Sequence, residues 1–441
     1  MIVMKFGGSS LADRIQIDKV VQIVKHRSSH MPLIVCSAHK GVTTQLIDSA
    51  IQAARGEHKD QDALNRQQQI CAELGCSESL LKPLYDELTA LLHGISLVRE
   101  LSDRTLDYVA SFGERMSVRV IAWYLRQQGI QALPIDAWDL GLITDSEFGR
   151  SRPVKGRLSE AAKLIQELNG VIPVVTGFIG KDTEGNITTL GRNGSDLSAT
   201  LFAEALQAER CEIWSDTNGV MSADPSLIAN AHNIPQMSFR EASELARFGS
   251  RILHPASLEP VEQARIPLWV MNTDAPEHPG TLISHDSVKS SERITSIAYK
   301  ENQTIVTLTS SEMFQRAGFL AEVFRVLSDH QVVVDMVSTS EVSLSFSTES
   351  SPQLDQALQT LARLGHCKVA NDKAIVAIVA PDHHYFLRHE VDVLRVLRDG
   401  QVDAEMLSLG YESINLMLLI DDHQIEKAIS SLHGAFFNHI E

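Results

Sequence analysis

Ile2-Val-Met-Lys-Phe-Gly-Gly-Ser-Ser10 combines a short apolar strand with two glycines that end it. The pattern after it predicts a helix over 13–25 and a second buried strand over 32–37. Strand, loop, helix and strand in this order are typical of the beginning of a parallel α/β sheet. Later apolar segments predict further strands of the same sheet, at 170–178, 187–190, 212–216 and 266–271. We therefore expect residues 1–285 to form an α/β domain with a mostly parallel central sheet between helices.

The pattern of the sequence changes in the last third of the chain. Around 278–291 the composition shifts to Pro, Gly, His and Ser, which predicts a linker, placed at 286–300. Two passes of strand-helix-strand-strand-helix-strand follow it. They predict a region of two small ferredoxin-like (βαββαβ) domains over 301–441, at about 301–370 and 371–441, either in succession or interleaved.

The composition excludes several classes of protein. The 441 residues carry 56 acidic and 39 basic side chains, which gives a net charge of −17. Nucleic acids require a basic surface, which such a chain lacks. No apolar run approaches the ~20 residues that cross a bilayer, and the first residues lack the basic leader and long apolar region of a signal peptide. We therefore expect a cytoplasmic protein that binds neither nucleic acid nor membrane.

The cysteines give no metal-binding signal. They are odd in number and scattered, without Cys-x-x-Cys spacing, at Cys36, Cys71, Cys76, Cys211 and Cys367. This spacing favours reduced thiols over metal-binding or redox roles.

Lys5 with Gly7 and Gly8 is the first candidate anion site. Glycines between a strand and a helix let the backbone approach a ligand, and a helix N-terminus offers unpaired N–H groups to an anion. Lys5 could reach the same anion as a point charge. Because the lysine precedes the glycines, this is not a Walker motif, and a plain tight turn is an equal alternative.

Gly191-Arg-Asn-Gly-Ser-Asp196 lies at another strand-to-helix junction and is the second candidate. Arg192 offers a planar fork that suits a carboxylate. Taken alone, Asp196 fits a helix N-cap better than a catalytic role.

Two further acidic features are weaker candidates. The residues 111–115 predict a turn, with Glu114 at the head of the following helix, where it either stabilises the helix dipole or captures an ammonium group. Ser215-Asp216 and Asp224 form an acidic loop after a strand, which is either a β-turn or part of a nucleotide site.

The order of these motifs resembles the amino acid kinase superfamily and, within it, the aspartate kinases. The matching stretches are Lys5-Phe-Gly-Gly-Ser-Ser10, Ser111-Phe-Gly-Glu-Arg-Met-Ser117, Gly191-Arg-Asn-Gly-Ser-Asp196, Trp214-Ser-Asp-Thr-Asn-Gly-Val220 and Phe248-Gly-Ser-Arg-Ile-Leu-His-Pro255. The tail is similar to the paired ACT domains of that family, most clearly in 316–324 and 335–342. The resemblance covers nearly the whole chain. It implies the amino acid kinase fold and phosphorylation of the β-carboxylate of L-aspartate by ATP with Mg²⁺, the first step of lysine, threonine and methionine biosynthesis.

The resemblance also implies residue roles. The β- and γ-phosphates are expected at Lys5, Gly7, Gly8 and Ser9. The substrate is expected to contact Arg192 through its α-carboxylate and Glu114 through its amino group, with Ser37 and Ser195 beside it, while Asp196 orients Lys5. The nucleotide pocket is expected to be lined by Ser215, Asp216, Met221, Asp224 and Arg251. No side chain is assigned to the metal.

Two departures from the family pattern support an alternative. Met221 replaces a usual tyrosine and Arg251 a usual lysine, which favours a catalytically weak, amino-acid-binding regulatory protein that keeps the fold. The phosphate clamp at Lys5 argues against it, since a pure sensor does not need one. A kinase of the superfamily that acts on another acid is the third interpretation, and the paired sensing domains disfavour it.

The tail predicts a pocket for an inhibitory amino acid at a dimer interface. Its residues are expected to be Met313, Gly318, Phe319, Leu320, Asp335, Ser338 and Thr339. Lysine is favoured over threonine as the ligand, because acidic side chains suit a cation. Arg316 either repels lysine or is neutralised by pairing with Glu341. The resemblance implies a homodimer or a dimer of dimers through the ACT domains.

Overall fold

The computed structural model describes residues 1–57, 63–154, 156–248, 253–285 and 293–437. Within these ranges the chain forms two compact units. The first comprises 1–220, 233–243 and 253–285, and the second comprises 221–232, 244–248 and 293–437. No helix in the described ranges is both long and apolar enough to cross a bilayer.

The first unit contains an eight-stranded sheet and a short hairpin, flanked by helices. Its strands are β1 (Ile2–Phe6), β2 (Leu33–Cys36), β3 (Ala132–Ile135), β4 (Ile172–Thr176), β5 (Ile179–Lys181), β6 (Ile187–Thr189), β7 (Arg210–Ser215), β8 (Gln236–Ser238), β9 (Leu268–Asn272) and β10 (Thr281–Ser284). The helices from the N-terminus to residue 263 are α1 (Arg14–Arg27), α2 (Val42–Arg55), α3 (Asn65–Leu74), α4 (Lys82–Val98), α5 (Asp103–Gln127), α6 (Ala161–Gln166), α7 (Gly194–Ala205), α8 (Phe239–Arg247) and α9 (Pro255–Gln263).

The sheet order is β3-β4-β2-β1-β7-β9-β10-β8. Neighbouring strands run parallel, except that β10 is antiparallel to β9. Strands β1, β2 and β4 are mainly apolar and fully buried, as expected where helices cover both faces of the sheet. In β1, Ile2, Met4 and Phe6 belong to the core shared with α1, α2 and α5, whereas Lys5 faces α7 on the other side. The predicted mostly parallel sheet is confirmed, and its central strand carries Lys5.

The predicted turn at 111–115 is wrong, because these residues lie inside the 25-residue helix α5. Gly113 serves close packing instead. A Cβ at this position would lie 2.8 Å from the Cβ of Ala38, so a larger residue would push α5 away from the loop after β2. Glu114 is therefore in the middle of a helix rather than at its head.

The second unit contains a six-stranded antiparallel sheet with helices. Its strands are β11 (Ser296–Thr309), β12 (Val337–Thr339), β13 (Ser343–Glu349), β14 (His366–Val379), β15 (Met406–Ser408) and β16 (Asn415–Asp421), in the order β12-β13-β11-β14-β16-β15. Its helices beyond residue 293 are α10 (Phe319–Asp329), α11 (Pro352–Leu361), α12 (His384–Asp399) and α13 (Ile425–Phe437).

The two ferredoxin-like modules share their longest strands. The second half of β11 pairs with β13 and with the first half of β14, which completes one βαββαβ set. The first half of β11, 296–300, pairs instead with 375–379, the half of β14 that also pairs with β16. The last strand of the second module therefore precedes the first module in the chain, so the modules are interleaved.

Two predicted boundaries differ from those in the structure. The linker predicted at 286–300 is wrong for 296–300, because these residues are hydrogen-bonded in β11, while 286–292 lie outside the described residues. The segment 221–232, predicted within the domain 1–285, packs in the second unit. Its Ser222 Oγ is 2.9 Å from Nε2 of His433 in α13, and Ala223 and Ile228 join the apolar core of the second module.

Candidate active site

A cavity of about 540 Å³ opens at the carboxyl ends of β1 and β2 and the start of α7. It brings together eight residues that the sequence singles out: Lys5, Gly7, Gly8, Ser37, Glu114, Arg192, Ser195 and Asp196. Carboxyl ends of parallel strands meet at one edge of a sheet, which is why motifs far apart in sequence converge here. We call this space the central cavity.

Lys5 and Asp196 form a buried ion pair at the base of the central cavity. Lys5 Nζ lies 2.6 Å from Asp196 Oδ1, and the two side chains are 11% and 6% exposed. Asp196 does not cap α7, since Asn193 occupies the cap position with φ of 57°. The pairing holds a lysine ammonium in place at the end of β1, where it can meet an incoming anion.

The loop after β1 passes very close to the loop after β2. A Cβ on Gly8 would lie 3.1 Å from the carbonyl oxygen of Ala38. The chain then turns twice, with N–H groups of Leu11 and Ala12 donating to Gly8 O and Ser9 O, before α1 begins behind its N-cap Asp13. Gly7 and Gly8 also line the central cavity, so the backbone next to Lys5 can meet a ligand at close range, as in phosphate-binding glycine loops.

Glu114 contributes a buried carboxyl group with one oxygen available. Its Oε1 accepts a hydrogen bond of 3.0 Å from Ala38 N–H, whereas Oε2 is buried and has no hydrogen-bond partner among the described residues. Burial raises the pKa of Glu114 to about 8, against the lowering effect of the Ala38 N–H. A buried carboxyl oxygen without a donor is costly, and a ligand ammonium would remove that cost.

Arg192 lies at the exposed rim of the central cavity, in the loop that leads into α7. It forms no ion pair with any other residue in the part of the chain that is described. Its guanidinium fork is therefore available to a carboxylate that enters the cavity. Ser195, behind it, is buried against Gly177.

Asp107 of α5 is a lining residue that the sequence did not reveal. Its carboxylate accepts hydrogen bonds from the N–H groups of Gly149 and Thr189 at 2.9 and 2.8 Å and from Thr189 Oγ1 at 2.8 Å. Burial raises the pKa of this carboxyl group. Asp107 thereby fixes the loop before Arg150 and the end of β6 around the cavity, which makes it a positioning residue.

A smaller cleft of about 250 Å³ lies at the carboxyl ends of β1, β7 and β9 and contains three of the residues predicted to bind the phosphates or the nucleotide. These are Ser9, Ser215 and Asp216, and Lys40 joins them. The cleft is held by a hydrogen bond of 2.7 Å between Ser10 and Thr273. Asp13 and Asp274 line the cleft as well, so its hydroxyl groups and Lys40 suit phosphates that enter together with a cation rather than a bare polyanion.

The structure does not place the other predicted nucleotide residues in these spaces. Met221 and Asp224 lie in the second unit, where Met221 O accepts from Ser296 Oγ at 2.8 Å and Asp224 binds Tyr299 and Ser226. Arg251 lies outside the described residues. Their assignment to the nucleotide stays a prediction.

The predicted effector residues gather in the first ferredoxin-like module. Met313 ends a short 3₁₀ turn, Gly318 caps α10, Leu320 is partly exposed, and Ser338 and Thr339 lie exposed in edge strand β12. The Phe319 side chain is 1% exposed in the apolar core, so of this residue only the backbone is open to a ligand.

The charged residues at this place pair in a way that the sequence did not show. Asp335 Oδ2 lies 2.7 Å from Lys300 Nζ, which also pairs with Glu349 at 3.1 Å. Arg316 pairs with Glu312 and Glu322, at 2.7 and 3.1 Å. Of the two alternatives for Arg316, pairing with Glu341 is not the one formed; Glu312 and Glu322 compensate its charge instead.

Comparison with known proteins follows the same division of the chain. Residues 1–272 match the amino acid kinase family, and residues 306–363 match an ACT domain. Lysine-sensitive aspartokinase 3 of Escherichia coli is 33% identical over 99% of this chain and 99% of its own length. Aspartokinase 1, chloroplastic, of Arabidopsis thaliana is 32% identical over 99% of this chain and 80% of its own length.

Two solved structures are similar to this chain over nearly its whole length. The crystal structure of E. coli aspartokinase III in complex with aspartate and ADP, in the R-state, aligns with a TM-score of 0.86 at 32% identity, over 99% of this chain and 100% of that one. The same enzyme in complex with lysine and aspartate, in the T-state, aligns with a TM-score of 0.78 at 31% identity, also over 99% and 100%.

Proposed function

The chain belongs to the amino acid kinase family, and within it to the aspartokinases. We propose that it transfers the γ-phosphoryl group of ATP to the β-carboxylate of L-aspartate. One observation carries the proposal. The central cavity holds a buried ammonium, a buried carboxyl group with an unpaired oxygen and an available guanidinium. Together these match the two carboxylates and one ammonium of aspartate.

Each group of the substrate then has a partner. The α-carboxylate binds the fork of Arg192, and the α-ammonium binds Oε2 of Glu114. This leaves the β-carboxylate directed towards Lys5, next to Ser37 and Ser195. The phosphates of ATP lie along Gly7, Gly8 and Ser9, and the nucleotide continues towards Ser215 and Asp216 in the smaller cleft. Aspartokinase III of E. coli has been solved in complex with aspartate and ADP, which supports binding of these two ligands by a chain of this fold.

The chemistry requires charge compensation more than proton transfer. The attacking carboxylate is already ionised at pH 7, so no strong general base is needed. Phosphoryl transfer depends on alignment and on cations around the transferring group. Lys5 supplies one such charge, held by Asp196. The nucleotide enters as its Mg²⁺ complex, in which phosphate oxygens and water bind most of the metal.

Release of ADP, measured in a coupled assay, tests the proposal. We expect turnover with ATP and aspartate, and background rates with glutamate or with no acceptor. Turnover with glutamate in place of aspartate would identify a kinase for another acid. No turnover with either acid, together with amino-acid binding, would identify the regulatory protein of the alternative hypothesis.

Glu114 predicts a pH dependence of aspartate binding. Because its pKa is raised to about 8, the carboxyl group of the free enzyme is mostly protonated at pH 7 and ionises above pH 8. The substrate ammonium requires the ionised form, so kcat/KM for aspartate rises about tenfold from pH 7 to pH 9, the factor by which the competent fraction increases. The measurement is a pH profile of kcat/KM for both substrates.

Glu114→Gln is the matched variant for this profile. The amide keeps an oxygen for the Ala38 N–H and removes the titration. We expect a lower kcat/KM for aspartate and a flat profile between pH 7 and pH 9. An unchanged rise with pH in this variant would assign the titration to another group.

We also propose that lysine inhibits the enzyme by binding next to α10 and β12. Gly318 and its neighbours offer backbone N–H groups at a helix N-terminus to the α-carboxylate. Asp335 keeps Oδ1 available besides its contact with Lys300. Edge strand β12 is exposed along its whole length, which favours pairing of two chains through their ACT modules. The known structure of aspartokinase III with lysine supports this regulation.

Asp335→Asn is expected to weaken lysine binding by about 10- to 100-fold, the value of a hydrogen bond to a charged group. Titration calorimetry with lysine and with threonine measures it. Glu405→Gln is the control, because Glu405 pairs with Lys373 at 2.7 Å at the corresponding place of the second module. By linkage, aspartate with ATP weakens lysine binding by the factor by which lysine weakens theirs. Lysine affinity that is unaffected by both substrates would contradict the mechanism.

A further inference from the structure

The end of α3 brings two cysteines together across a helix cap. Gly75 has φ of +77°, its N–H donates to Ala72 O at 3.2 Å, and the Cys76 N–H donates to Cys71 O at 2.8 Å. This pair of bonds defines the Schellman motif, in which the side chains at the two outer positions are frequently in contact. Cys71 and Cys76 occupy those two positions, so a spacing that looks random in sequence makes a pair.

The surroundings of the two thiols differ. Cys71 Sγ lies 3.7 Å from Gln67 Nε2 and 3.8 Å from the Tyr85 hydroxyl, and the Cys76 thiol is placed to donate to it as well. These three donors stabilise a thiolate, chiefly the Cys76 thiol, and lower the pKa of Cys71 to about 7 in spite of its partial burial. The pKa of Cys76 is raised by the same contact. Both residues are only partly buried, so small oxidants reach them.

The other cysteines lack these features. Cys36 and Cys211 are fully buried, and burial raises the pKa of both thiols. Cys367 is partly buried, and burial raises its pKa as well. A nucleophilic thiolate beside a second thiol is therefore found at the end of α3 and at none of the other three cysteines.

We propose that Cys71 and Cys76 are a peroxide-reactive pair that closes to a reversible disulfide. The Cys71 thiolate attacks one oxygen of hydrogen peroxide, which forms an S–O bond, breaks the O–O bond and releases hydroxide. Cys76 then attacks the sulfur of this sulfenic acid, which forms the S–S bond and releases the hydroxyl group with the Cys76 proton as water. The two thiols lose two electrons, peroxide is reduced to water, and a dithiol reverses the bridge by exchange.

The bridge closes over one helix end. The N–H of Arg66, near the other end of α3, donates to Gln45 at 3.1 Å, and the central cavity contains no residue of α3. The disulfide therefore forms without moving Lys5 or Glu114. The experiment therefore measures the oxidation state of the two thiols directly, rather than the turnover of the enzyme.

Mass spectrometry of the full-length protein tests the proposal. The protein is treated with equimolar hydrogen peroxide, free thiols are alkylated, and a tryptic digest is analysed without reduction. We expect the peptide 67–99 to be two hydrogens lighter and unalkylated, and to take two alkyl groups after reduction with dithiothreitol. Alkylation of both cysteines after peroxide treatment would overturn the proposal.

Two variants separate pairing from general reactivity. In Cys76→Ala, the sulfenic acid of Cys71 persists and reacts with dimedone, and the midpoint of Cys71 alkylation moves from about pH 7 towards the ordinary thiol value of about 8.5. Cys367→Ser is the control, and oxidation of the pair stays unchanged in it. A thermal melt shows that both variants are folded. A midpoint that is unaffected in Cys76→Ala would mean that the pair has no chemical role.

Discussion

Lys5→Ala lowers turnover by about 10²-fold or more, because the ammonium stabilises charge that develops on the transferring phosphoryl group. Removal of one preorganised donor to a transition state costs about 10²–10³-fold in kcat. Lys5 Nζ is held in place by Asp196 at 2.6 Å before any ligand arrives. Little free energy is therefore lost in orienting the ammonium group during the reaction. Steady-state kinetics with saturating ATP and aspartate measure the effect.

The experiment must distinguish a loss of turnover from a loss of folding in the Lys5 variant. Loss of Lys5 leaves Asp196 buried without its partner, and breaking a buried pair costs about 3–5 kcal/mol of stability. The double variant Lys5→Met with Asp196→Asn removes both charges, and we expect it to regain stability in thermal unfolding without regaining turnover. Lys82→Ala is the matched control, since Lys82 pairs with Asp86 on the exposed face of α4. Near-normal turnover in a folded Lys5 variant would refute the assignment.

Much of the first unit can be predicted from local patterns. Strands β1, β2 and β4 are short, mainly apolar runs that are followed by glycine or serine, and such runs mark buried parallel strands. The family resemblance, read from five ordered motifs, is confirmed by full-length similarity to aspartokinases. Local patterns suffice here because the motifs lie at strand ends, where the fold brings them together.

The misplaced features depend on contacts that sequence does not display. Phe112-Gly113-Glu114 has the composition of a turn, yet Gly113 is required by the proximity of Ala38, 75 positions earlier in the chain. Strand β11 serves two modules because its halves pair with different halves of β14, about 70 residues later. Asp107 has no motif around it, since its role arises from Gly149 and Thr189. Secondary-structure propensity is a property of each segment by itself. The roles of Gly113, β11 and Asp107 depend instead on residues that are distant in sequence and close in space.

Arg192→Ala is expected to raise the KM for aspartate by at least about thirtyfold, with a much smaller change in the KM for ATP. Truncation of one partner in a charge-assisted contact that the ligand covers costs about 2–5 kcal/mol, and each 1.4 kcal/mol is tenfold in affinity. The effect falls on aspartate because Arg192 is at the rim of the central cavity, away from Ser215 and Asp216 of the smaller cleft.

Arg192→Lys sharpens the test, because it keeps the charge and removes the planar fork. A bidentate contact predicts that lysine recovers a minor part of the affinity, whereas a purely electrostatic contribution predicts nearly full recovery. Arg398→Ala on the exposed surface of α12 controls for loss of a positive charge in an acidic protein. If the KM for ATP rises in Arg192→Ala while the KM for aspartate stays constant, Arg192 binds the nucleotide, and the α-carboxylate must be bound by another donor of the central cavity.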